Sequence, residues 1–400
     1  MKLGIIRERK SPSDFRVPLI PWQCAALLEK HRNLEIVVES YPGRCFADEE
    51  YAARGIEIVQ DLGGCDVIAG VKEIPADALI GGKTYMFFSH TIKKQAYNRN
   101  LLRAILEKKI RLIDYECLRY PKGSRMLGFG RYAGIVGAYN TFLAWGKRYQ
   151  LYTLKPAHEC YDRKEMEYEL SKAHLSPIKI LLTGGGRVGE GALEVLRLLN
   201  IRQVTVEEYL HQSFREPVFT QVEFPEYNRH KEGKPFVEKE FLKFPDRFES
   251  DFHKFLPETD ILIAGHFWSP SAPRFFTRKD MLEESFAIKV IGDISCDIDG
   301  PIPSTLRAST IEEPLYGYDP ATGTETDPFA PAAVTVMAVD NLPCELPRDA
   351  SEDFGNSLME EVIPLLLDGD PDNIIKHAII AENGKLTERY KYLQNYVNDN

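Results

Sequence analysis

Residues 178–199, which read IKILLTGGGRVGEGALEVLRLL, constrain the fold more than any other part of the chain. The apolar run at residues 178–182 has the length and branching of a buried parallel strand. From residue 188 to residue 199 the apolar side chains recur with the period of a helix. This stretch therefore predicts a strand, a glycine-rich turn and a helix in direct succession.

The glycines of this turn have the spacing of a nucleotide-binding motif. Gly184, Gly186 and Gly189 satisfy G-x-G-x-x-G. In that motif the first glycine permits a tight turn, the second lets a pyrophosphate approach the backbone, and the third lets the helix pack on the strand. The helix N-terminus, with Arg187 and Val188, then faces the anion. We predict a Rossmann unit that binds a dinucleotide through these five residues.

Acidic residues follow this helix at the distance that the motif requires. Residues 203–206 read as a second short strand, and Glu207 and Glu208 come directly after it, about 20 residues beyond the glycines. A carboxylate there accepts hydrogen bonds from the adenosine ribose hydroxyls, and its charge repels a 2′-phosphate. We therefore predict NAD as the cofactor and Glu207 as its ribose ligand. NADP stays possible, because Arg202 or Arg215 could reach a 2′-phosphate if the following loop folds back.

Composition and charge exclude several classes of protein. A length of 400 residues predicts two or three domains, and the net charge of -10 without a basic stripe argues against a nucleic-acid partner. The opening MKLGIIRERK lacks the apolar core of a signal peptide, and no apolar run has the length of a membrane span. The seven cysteines lie far apart without a C-x-x-C motif, so we expect them to be reduced. These features predict a cytoplasmic protein; they leave open whether it forms a homo-oligomer.

Strand-like and helix-like runs alternate in the first part of the chain, which predicts a parallel sheet. The strand-like runs are residues 3–7, 34–38, 56–59, 66–71, 84–89 and 110–114, and the helix-like runs are residues 22–30, 48–54 and 93–108. The fold class that we predict is α/β, with two Rossmann-like, doubly wound domains. One domain comprises residues 1–135 and about 345–400, and the dinucleotide-binding domain comprises residues 136–344.

The second part continues the alternation less regularly. Further helices are expected at residues 133–150 and 163–173, and further strands at residues 260–264, 288–294 and 335–339. Residues 216–233 are polar and rich in turn formers, and they read as an insertion. Residues 238–255 read as a helix interrupted by Pro245, and residues 300–331 as a structured loop or a return crossing. Ser351 is expected to cap a closing helix that ends near residue 367.

Polar residues that follow buried strands are the candidates for chemistry, because ligands bind at strand ends in open α/β sheets. In the first domain these are Lys72, after DVIAGV, and His90, after TYMFF, with Arg16 in the loop after the first strand. Taken singly, a lysine is more often a solvated surface residue and a histidine a structural one. Because both lie at strand ends, we predict that they act in the site.

The second domain offers its own strand-end residues. Asp293 and Asp297 lie at and beyond one strand end, Asp340 and Asn341 beyond another, and Gly265 begins a third loop. Asp and Asn are also favoured in turns for conformational reasons alone. We predict cofactor contacts for Gly265, Asp340 and Asn341. The histidines show no metal-ligand spacing, so no metal is predicted.

With these residues identified, the sequence resembles the alanine dehydrogenase and transhydrogenase superfamily. Within it, the chain is most similar to the lysine-forming saccharopine dehydrogenases and to the lysine-2-oxoglutarate reductase domain of larger fusion enzymes. The resemblance covers essentially the whole chain. It rests on RVPLIP at residues 16–21, GVKEIP at 70–75, KTYMFFSHTIKKQ at 83–95, RLIDYE at 111–116, FGRYAGIVGA at 129–138, DISCDIDG at 293–300, TIEEPLYGYD at 310–319 and VDNLPCELPRDASEDFG at 339–355.

The resemblance implies two domains flanking a cleft and the interconversion of saccharopine with L-lysine and 2-oxoglutarate by hydride transfer with NAD(P). It implies Lys72 and His90 as the acid and base, since every step except hydride transfer moves a proton. Saccharopine carries three carboxylates, for which the resemblance offers Arg16 and, more weakly, Arg131 as anchors. Asp297 matches the family acid, with Asp293 not excluded. The alternatives are alanine dehydrogenase or another small amino-acid dehydrogenase, and a non-catalytic nucleotide-binding module.

Overall fold

A computed structural model describes residues 1–10 and 13–399 of the chain. The chain divides into two compact units. Unit 1 comprises Met1–Phe129 and Pro347–Asn400, and unit 2 comprises Gly130–Leu346. Each unit is built on its own eight-stranded sheet. Helices and strands are numbered along the chain.

The N-terminal part of unit 1 alternates strands with helices, as the sequence predicts. Its strands are β1 (Lys2–Ile5), β2 (Glu35–Glu39), β3 (Glu57–Val59), β4 (Val67–Lys72), β5 (Thr84–Phe88) and β6 (Arg111–Asp114), and its helices are α1 (Pro21–Lys30), α2 (Asp48–Ala52) and α3 (Arg99–Glu107). The helix expected at residues 93–108 is shorter than predicted, because short 3-10 turns occupy Thr91–Lys93 and Ala96–Asn98 before α3 begins. Pro21 occupies the first turn of α1. The N–H groups of a first turn have no partner within the helix, so proline, which lacks an N–H, costs no hydrogen bond there.

Unit 2 contains the next ten strands and six helices of the described chain. They are α4 (Gly130–Tyr149), α5 (Arg163–Leu170), β7 (Lys179–Thr183), α6 (Arg187–Leu198), β8 (Arg202–Gln203), α7 (Val206–His211), β9 (Val218–Val222), α8 (Phe224–Tyr227), β10 (Asn228–His230), α9 (Glu238–Lys243), β11 (Phe248–Ser250), β12 (Ile261–Ala264), β13 (Val290–Asp293), β14 (Leu315–Asp319), β15 (Thr324–Thr326) and β16 (Val334–Met337).

The chain then completes unit 1. The elements are α10 (Pro347–Ser357), a π-helical turn (Leu358–Val362), α11 (Ile363–Leu367), α12 (Ile374–Ala378), β17 (Ile379–Glu382), β18 (Lys385–Leu386) and α13 (Gln394–Asn398). Ser351 does not cap this helix, because α10 begins at Pro347. Its hydroxyl instead donates to the carbonyl of Pro347 at 2.6 Å and accepts the N–H of Val17 at 2.9 Å.

Both sheets have the strand arrangement of doubly wound folds, so the predicted fold class is confirmed. In unit 1 the order is β18-β17-β6-β5-β4-β1-β2-β3, with β1 to β6 parallel and β17 and β18 antiparallel at one edge. In unit 2 the order is β15-β14-β16-β13-β12-β7-β9-β8, antiparallel only at β14 and β15. Side chains alternate between two buried clusters along β2: Ile36 and Val38 belong to the cluster that includes residues of α1, and Val37 belongs to the cluster that includes residues of α3.

In unit 2 the expectations for three segments beyond residue 215 are wrong. Residues 216–233 are no insertion, because β9 pairs with β7 over five residues and is almost fully buried. The helix expected at residues 238–255 ends at Lys243, since a 3-10 turn begins at Pro245 and β11 then pairs with β10. Residues 300–331 contain β14 and β15, so this segment forms a sheet edge rather than only a loop.

Candidate active site

The glycine-rich turn joins β7 to α6 as the motif predicts, and its geometry requires glycine. Gly184 has a positive φ of 93°, which disfavours residues with a Cβ. A Cβ on Gly189 would lie 2.0 Å from the carbonyl oxygen of Gly184, so only glycine lets α6 pack this closely on the turn. A Cβ on Gly186 would meet nothing within 4 Å, so its face of the backbone is open to a ligand.

A pocket of about 440 Å³ lies over this turn, within unit 2. Its lining combines the glycine turn, the first residues of α6 and the ends of two neighbouring strands. These residues are Gly184, Gly185, Gly186, Arg187, Val188, Glu223, Phe224, Tyr227, Gly265, His266 and Phe267. Six of the predicted cofactor ligands are close together here. Five of them line the pocket, namely Gly184, Gly186, Arg187, Val188 and Gly265. The sixth, Gly189, lies in the first turn of α6 and packs against Gly184. Open backbone at a helix N-terminus fits the pyrophosphate of a dinucleotide.

The pocket also contains an acid that the sequence did not identify. Glu223 directly follows β9, the strand next to β7 in the sheet. A Cβ on Gly185 would lie 2.1 Å from Oε1 of Glu223, which places this carboxylate against the glycine turn. In Rossmann units the ribose acid lies at the end of the strand beside the first one, and Glu223 has that position.

Glu207 occupies a different place from the one predicted. The strand expected at residues 203–206 is wrong: β8 ends at Gln203, and Glu207 lies exposed in the first turn of α7. The cause is a capping box, in which Thr205 Oγ1 accepts from the N–H of Glu208 at 3.2 Å and Glu208 Oε2 accepts from the N–H of Thr205 at 2.9 Å. Neither Glu207 nor Glu208 is among the residues that line the pocket.

The remaining candidates of unit 2 lie at the end of β13, beyond it, or beyond the end of β16. Asp293 is fully buried and accepts from Ser295 Oγ at 2.6 Å and from Thr305 Oγ1 at 2.5 Å, which makes it part of the loop's internal structure. Asp297 is half-buried, and burial together with the charge of Asp293 raises its pKa to about 6. Asp340 is exposed and Asn341 half-buried, and neither lines the glycine pocket.

Lys72 lies at the end of β4 beside a buried carboxyl group that the sequence did not identify. Glu8 accepts from the backbone N–H groups of Val71 at 2.6 Å and Lys72 at 2.9 Å, and so fixes the strand end. Burial, together with the charge of Asp14, raises the pKa of Glu8 to about 8. Glu8 is therefore largely protonated at neutral pH.

His90 lies two residues beyond Phe88, and Phe88 pairs with Lys72 across β4 and β5. Both predicted catalytic residues therefore lie at the carboxyl ends of neighbouring strands. The backbone of His90 is left-handed, with φ of 54°, and its Nδ1 lies 3.3 Å from Glu116 Oε2. Arg125 also contacts Glu116, at 2.5 Å. Burial acts to raise the pKa of Glu116, but the His90 hydrogen bond and the positive charges of Arg125 and Lys93 bring it to about 2.

Of the two predicted arginines, Arg16 belongs to unit 1. It is buried, and its Nε and Nη2 donate to Asp14 at 3.0 and 2.6 Å while its guanidinium lies 4.1 Å from the centre of the Phe129 ring. Burial acts to raise the pKa of Asp14, yet the Arg16 charge holds it well below its usual value, and the charge of Lys72 contributes. Arg16 and Lys72 are thus coupled through Asp14.

Arg131 has a different environment. It is the second residue of α4 in unit 2, where its Nε and Nη2 donate to Glu194 of α6 at 2.6 and 2.9 Å. Arg163 donates to the same carboxylate at 2.7 Å. Arg131 therefore has a structural role, since it joins α4 to α6. A substrate carboxylate would have to compete with Glu194 for the guanidinium of Arg131.

Metal binding and membrane spanning are two further properties on which the described residues bear. No group of three or more His, Cys, Asp or Glu side chains among them is arranged to hold a metal ion. None of the helices within residues 1–10 and 13–399 has both the length and the hydropathy to cross a membrane.

The chain is similar to known proteins over most of its length. Family models for the N-terminal and C-terminal domains of alanine dehydrogenase/PNT match residues 4–136 and 163–389. A Mus musculus protein named alpha-aminoadipic semialdehyde synthase, mitochondrial, is 30% identical over 98% of this chain, which spans 47% of that protein. An Emericella nidulans protein named saccharopine dehydrogenase [NAD(+), L-lysine-forming] is 26% identical over 90% of this chain and 91% of its own length.

A solved structure entitled L-alanine dehydrogenase has a TM-score of 0.64 with 19% identity and covers 99% of both chains, which shows a shared fold. The chain spans about half the length of the mouse relative. The family resemblance predicted from the sequence is confirmed by the two domain models, which together match most of the chain. The chain belongs to the alanine dehydrogenase/PNT family.

Proposed function

We propose that the chain is an NAD(P)-dependent oxidoreductase that interconverts saccharopine with L-lysine and 2-oxoglutarate. The observation that carries this proposal is the group of side chains at the carboxyl ends of neighbouring strands in unit 1. Lys72 ends β4, His90 follows β5 by two residues, and Arg16 is coupled to Lys72 through Asp14. The names of relatives that match over most of this chain support the same reaction.

Unit 1 would supply the proton transfers. Condensation of the lysine side-chain amine with the keto group of 2-oxoglutarate releases water and forms an imine, and reduction of the imine gives the secondary amine of saccharopine. Lys72 and His90 would exchange protons with the keto oxygen and with the reacting nitrogen. Glu116 would orient the His90 ring through Nδ1, so that Nε2 is the atom presented to substrate.

Unit 2 would bind the dinucleotide, which supplies the hydride when bound. The backbone of Gly184, Gly186 and Arg187 would hold the pyrophosphate, and Glu223 would accept hydrogen bonds from the ribose hydroxyls. Since a carboxylate against the turn disfavours a 2′-phosphate, we propose NAD as the preferred cofactor, with NADP as a weaker alternative. The roles predicted for Asp340 and Asn341 stay predictions.

The substrate carboxylates require cationic partners. Arg16 is our first candidate, because Asp14 and Phe129 hold its guanidinium rigidly. Arg131 is the weaker candidate, given its ion pair with Glu194. Asp297, whose pKa of about 6 lets it exist in either protonation state near neutral pH, is proposed to contact substrate.

The test is steady-state oxidation of NADH and of NADPH by the purified chain. We expect oxidation with L-lysine and 2-oxoglutarate together, and none with either alone. Pyruvate with ammonia tests alanine dehydrogenase, and omission of every amine tests unspecific reduction. Oxidation with pyruvate and ammonia but not with lysine would replace our proposal by the smaller-substrate reaction. No oxidation in a folded sample that binds NADH would indicate a nucleotide-binding module.

A further inference from the structure

Strand β4 departs from regular pairing just before Lys72. Ala69 pairs with Met86 of β5. Lys72, three residues later, pairs with Phe88, which lies only two residues further along β5. On the other side of β4, the pairing with β1 ends at Ala69. An extra residue in one strand is a β-bulge, which bends the strand and changes the direction of the side chain that follows, and bulges are common beside active sites for that reason.

Glu8 accepts the hydrogen bonds of this bulged backbone. Its Oε1 accepts from the N–H of Val71 at 2.6 Å, and its Oε2 accepts from the N–H of Lys72 at 2.9 Å. Glu8 lies three residues beyond β1 and is 9% exposed. A Cβ on Gly70 would lie 3.3 Å from Oε1 of Glu8, so the carboxyl group fits closely against the bulge. One buried side chain therefore holds two consecutive N–H groups, the second of which belongs to Lys72.

Glu8 also differs in charge from the other buried acid of this region. Burial, followed by the charge of Asp14, raises the pKa of Glu8 to about 8. Burial acts to raise the pKa of Asp14 as well, but the charge of Arg16 holds it well below its usual value, and Lys72 contributes. The two acids therefore have different protonation states at neutral pH, as in sites where neighbouring acids have different roles. Asp14 is the carboxylate whose charge acts on Lys72, whereas Glu8 holds the backbone of Lys72 without a second negative charge.

We propose that Glu8 is a positioning residue for Lys72, because it holds the bulged backbone at Val71 and Lys72 and thereby fixes the direction in which the Lys72 side chain leaves the strand. This inference rests on the proposed function of Lys72 as a proton-transfer residue and adds the group that orients it. Glu8 contacts the backbone of Lys72, so it acts through Lys72 rather than on the substrate. Its loss should therefore slow the chemical step and leave the binding of NADH, which is proposed for unit 2, unchanged.

The first test is a double-mutant cycle on lysine-dependent oxidation of NADH, with circular dichroism to verify folding. Glu8→Ala removes both acceptors, and we expect kcat to fall about tenfold with an unchanged KM for NADH, since a displacement of about 1 Å can cost about 100-fold. Glu8→Gln keeps one carbonyl acceptor and should restore most of the activity. In the Lys72→Met background, Glu8→Ala should change kcat less than about twofold, because the residue through which it acts is gone. An equal fall in both backgrounds would indicate a merely structural role and overturn the proposal.

The matched control for this cycle is Glu39→Ala. Glu39 is a buried acid at the end of β2 in unit 1, and it accepts the N–H of Arg7 at 3.1 Å. It also accepts from the side chain of Arg9, so in the described structure it holds the same segment as Glu8 but from β2 rather than at β4. We expect kcat within about twofold of the wild type. A fall as large as that in Glu8→Ala would overturn a specific role for Glu8.

The second test does not depend on activity. Acetic anhydride labels lysine amines in the folded protein, and mass spectrometry compares the labelling rate of Lys72 with the rates of the lysines of unit 2. Lys72 is half-buried, so a loosened strand end should expose its amine, and we expect labelling at least about threefold faster in Glu8→Ala. Equal rates in the wild type and Glu8→Ala would overturn the positioning role whichever substrate the chain uses. Faster labelling in a chain that shows no lysine-dependent oxidation would overturn the proposed function and support the positioning of Lys72 by Glu8.

Discussion

Replacing Glu223 by serine should shift cofactor preference from NADH toward NADPH. The carboxylate lies against the glycine turn at the end of β9, where a bound adenosine ribose would meet it. Serine removes the charge and retains a small polar side chain. It also leaves intact the backbone contact at this residue, in which Glu226 Oε2 accepts the N–H of residue 223 at 2.9 Å.

Two effects contribute to the expected magnitude. Loss of a charged acceptor for the ribose hydroxyls costs NADH about 1–1.5 kcal/mol, at or just below the lower limit of the range of about 1.5–3 kcal/mol for hydrogen bonds to charged groups, because Glu223 is exposed. Removal of repulsion helps NADPH by about 1–2 kcal/mol, since two unit charges 4 Å apart interact by about 1 kcal/mol in water and about 4 kcal/mol at an effective dielectric constant of 20. Together these effects shift the ratio of the two affinities roughly 30- to 300-fold.

The assay compares kcat/KM and Kd for NADH and NADPH in the wild type, Glu223→Ser and Glu207→Ser. Glu207 is a matched control because it is also an exposed acid but lies in α7, outside the pocket lining. We expect its replacement to change the ratio by less than about twofold, as for other surface charges. If Glu207→Ser shifts the preference and Glu223→Ser does not, our assignment of the ribose site to the end of β9 is wrong.

Three further predictions concern the proposed catalytic pair, the buried acid and the glycine turn. Lys72→Met and His90→Gln should each lower kcat about 100-fold without loss of NADH binding; near-normal turnover in both would remove them from the mechanism. Because the folded-state pKa of Glu8 is raised to about 8, the folded protein binds the extra proton between about pH 4.5 and 8, so stability falls as pH rises through that window. Urea unfolding should show that the free energy of unfolding falls less between pH 6 and pH 8.5 in Glu8→Gln than in the wild type. An equal fall in both proteins would contradict the argument from burial of Glu8. Gly189→Ala should lower Tm because its Cβ meets backbone, whereas Gly186→Ala should keep Tm but weaken NADH binding at least tenfold; the reverse pattern would contradict the predicted roles.

The parts of the fold that the sequence predicts correctly are those with strong local signals. Runs of branched apolar residues mark β4, β7 and β12 because both faces of these central strands are buried. The turn after β7 was predictable because a positive φ and a 2.0 Å approach leave glycine as the only choice at Gly184 and Gly189. The strand ends that carry Lys72 and His90 follow from the same local patterns.

Features that depend on distant partners were not predictable. The sequence of β9, VFTQV, contains two polar residues, yet Thr220 is buried and Gln221 donates from Nε2 to the carbonyl of Gly184 at 2.9 Å. Without knowledge of that acceptor, the polar residues indicate a loop. The importance of Glu8 and Glu116 likewise arises from contacts with β4 and His90, residues far along the chain. A local signal did exist for α7, since T-x-x-E at residues 205–208 is the sequence pattern of a capping box.

The location that we propose for the ribose acid depends on strand order rather than on sequence spacing. The spacing rule assumes that the first strand after α6 lies beside β7, and it therefore pointed to Glu207. In this chain the first such strand, β8, has two residues and occupies the sheet edge, while β9 pairs with β7 along its full length. Helix α7 and the segment before β9 intervene, which moves the end of the neighbouring strand to residue 222. We therefore propose that the residue that follows β9 binds the ribose, and we expect its charge, rather than that of Glu207, to decide between NAD and NADP.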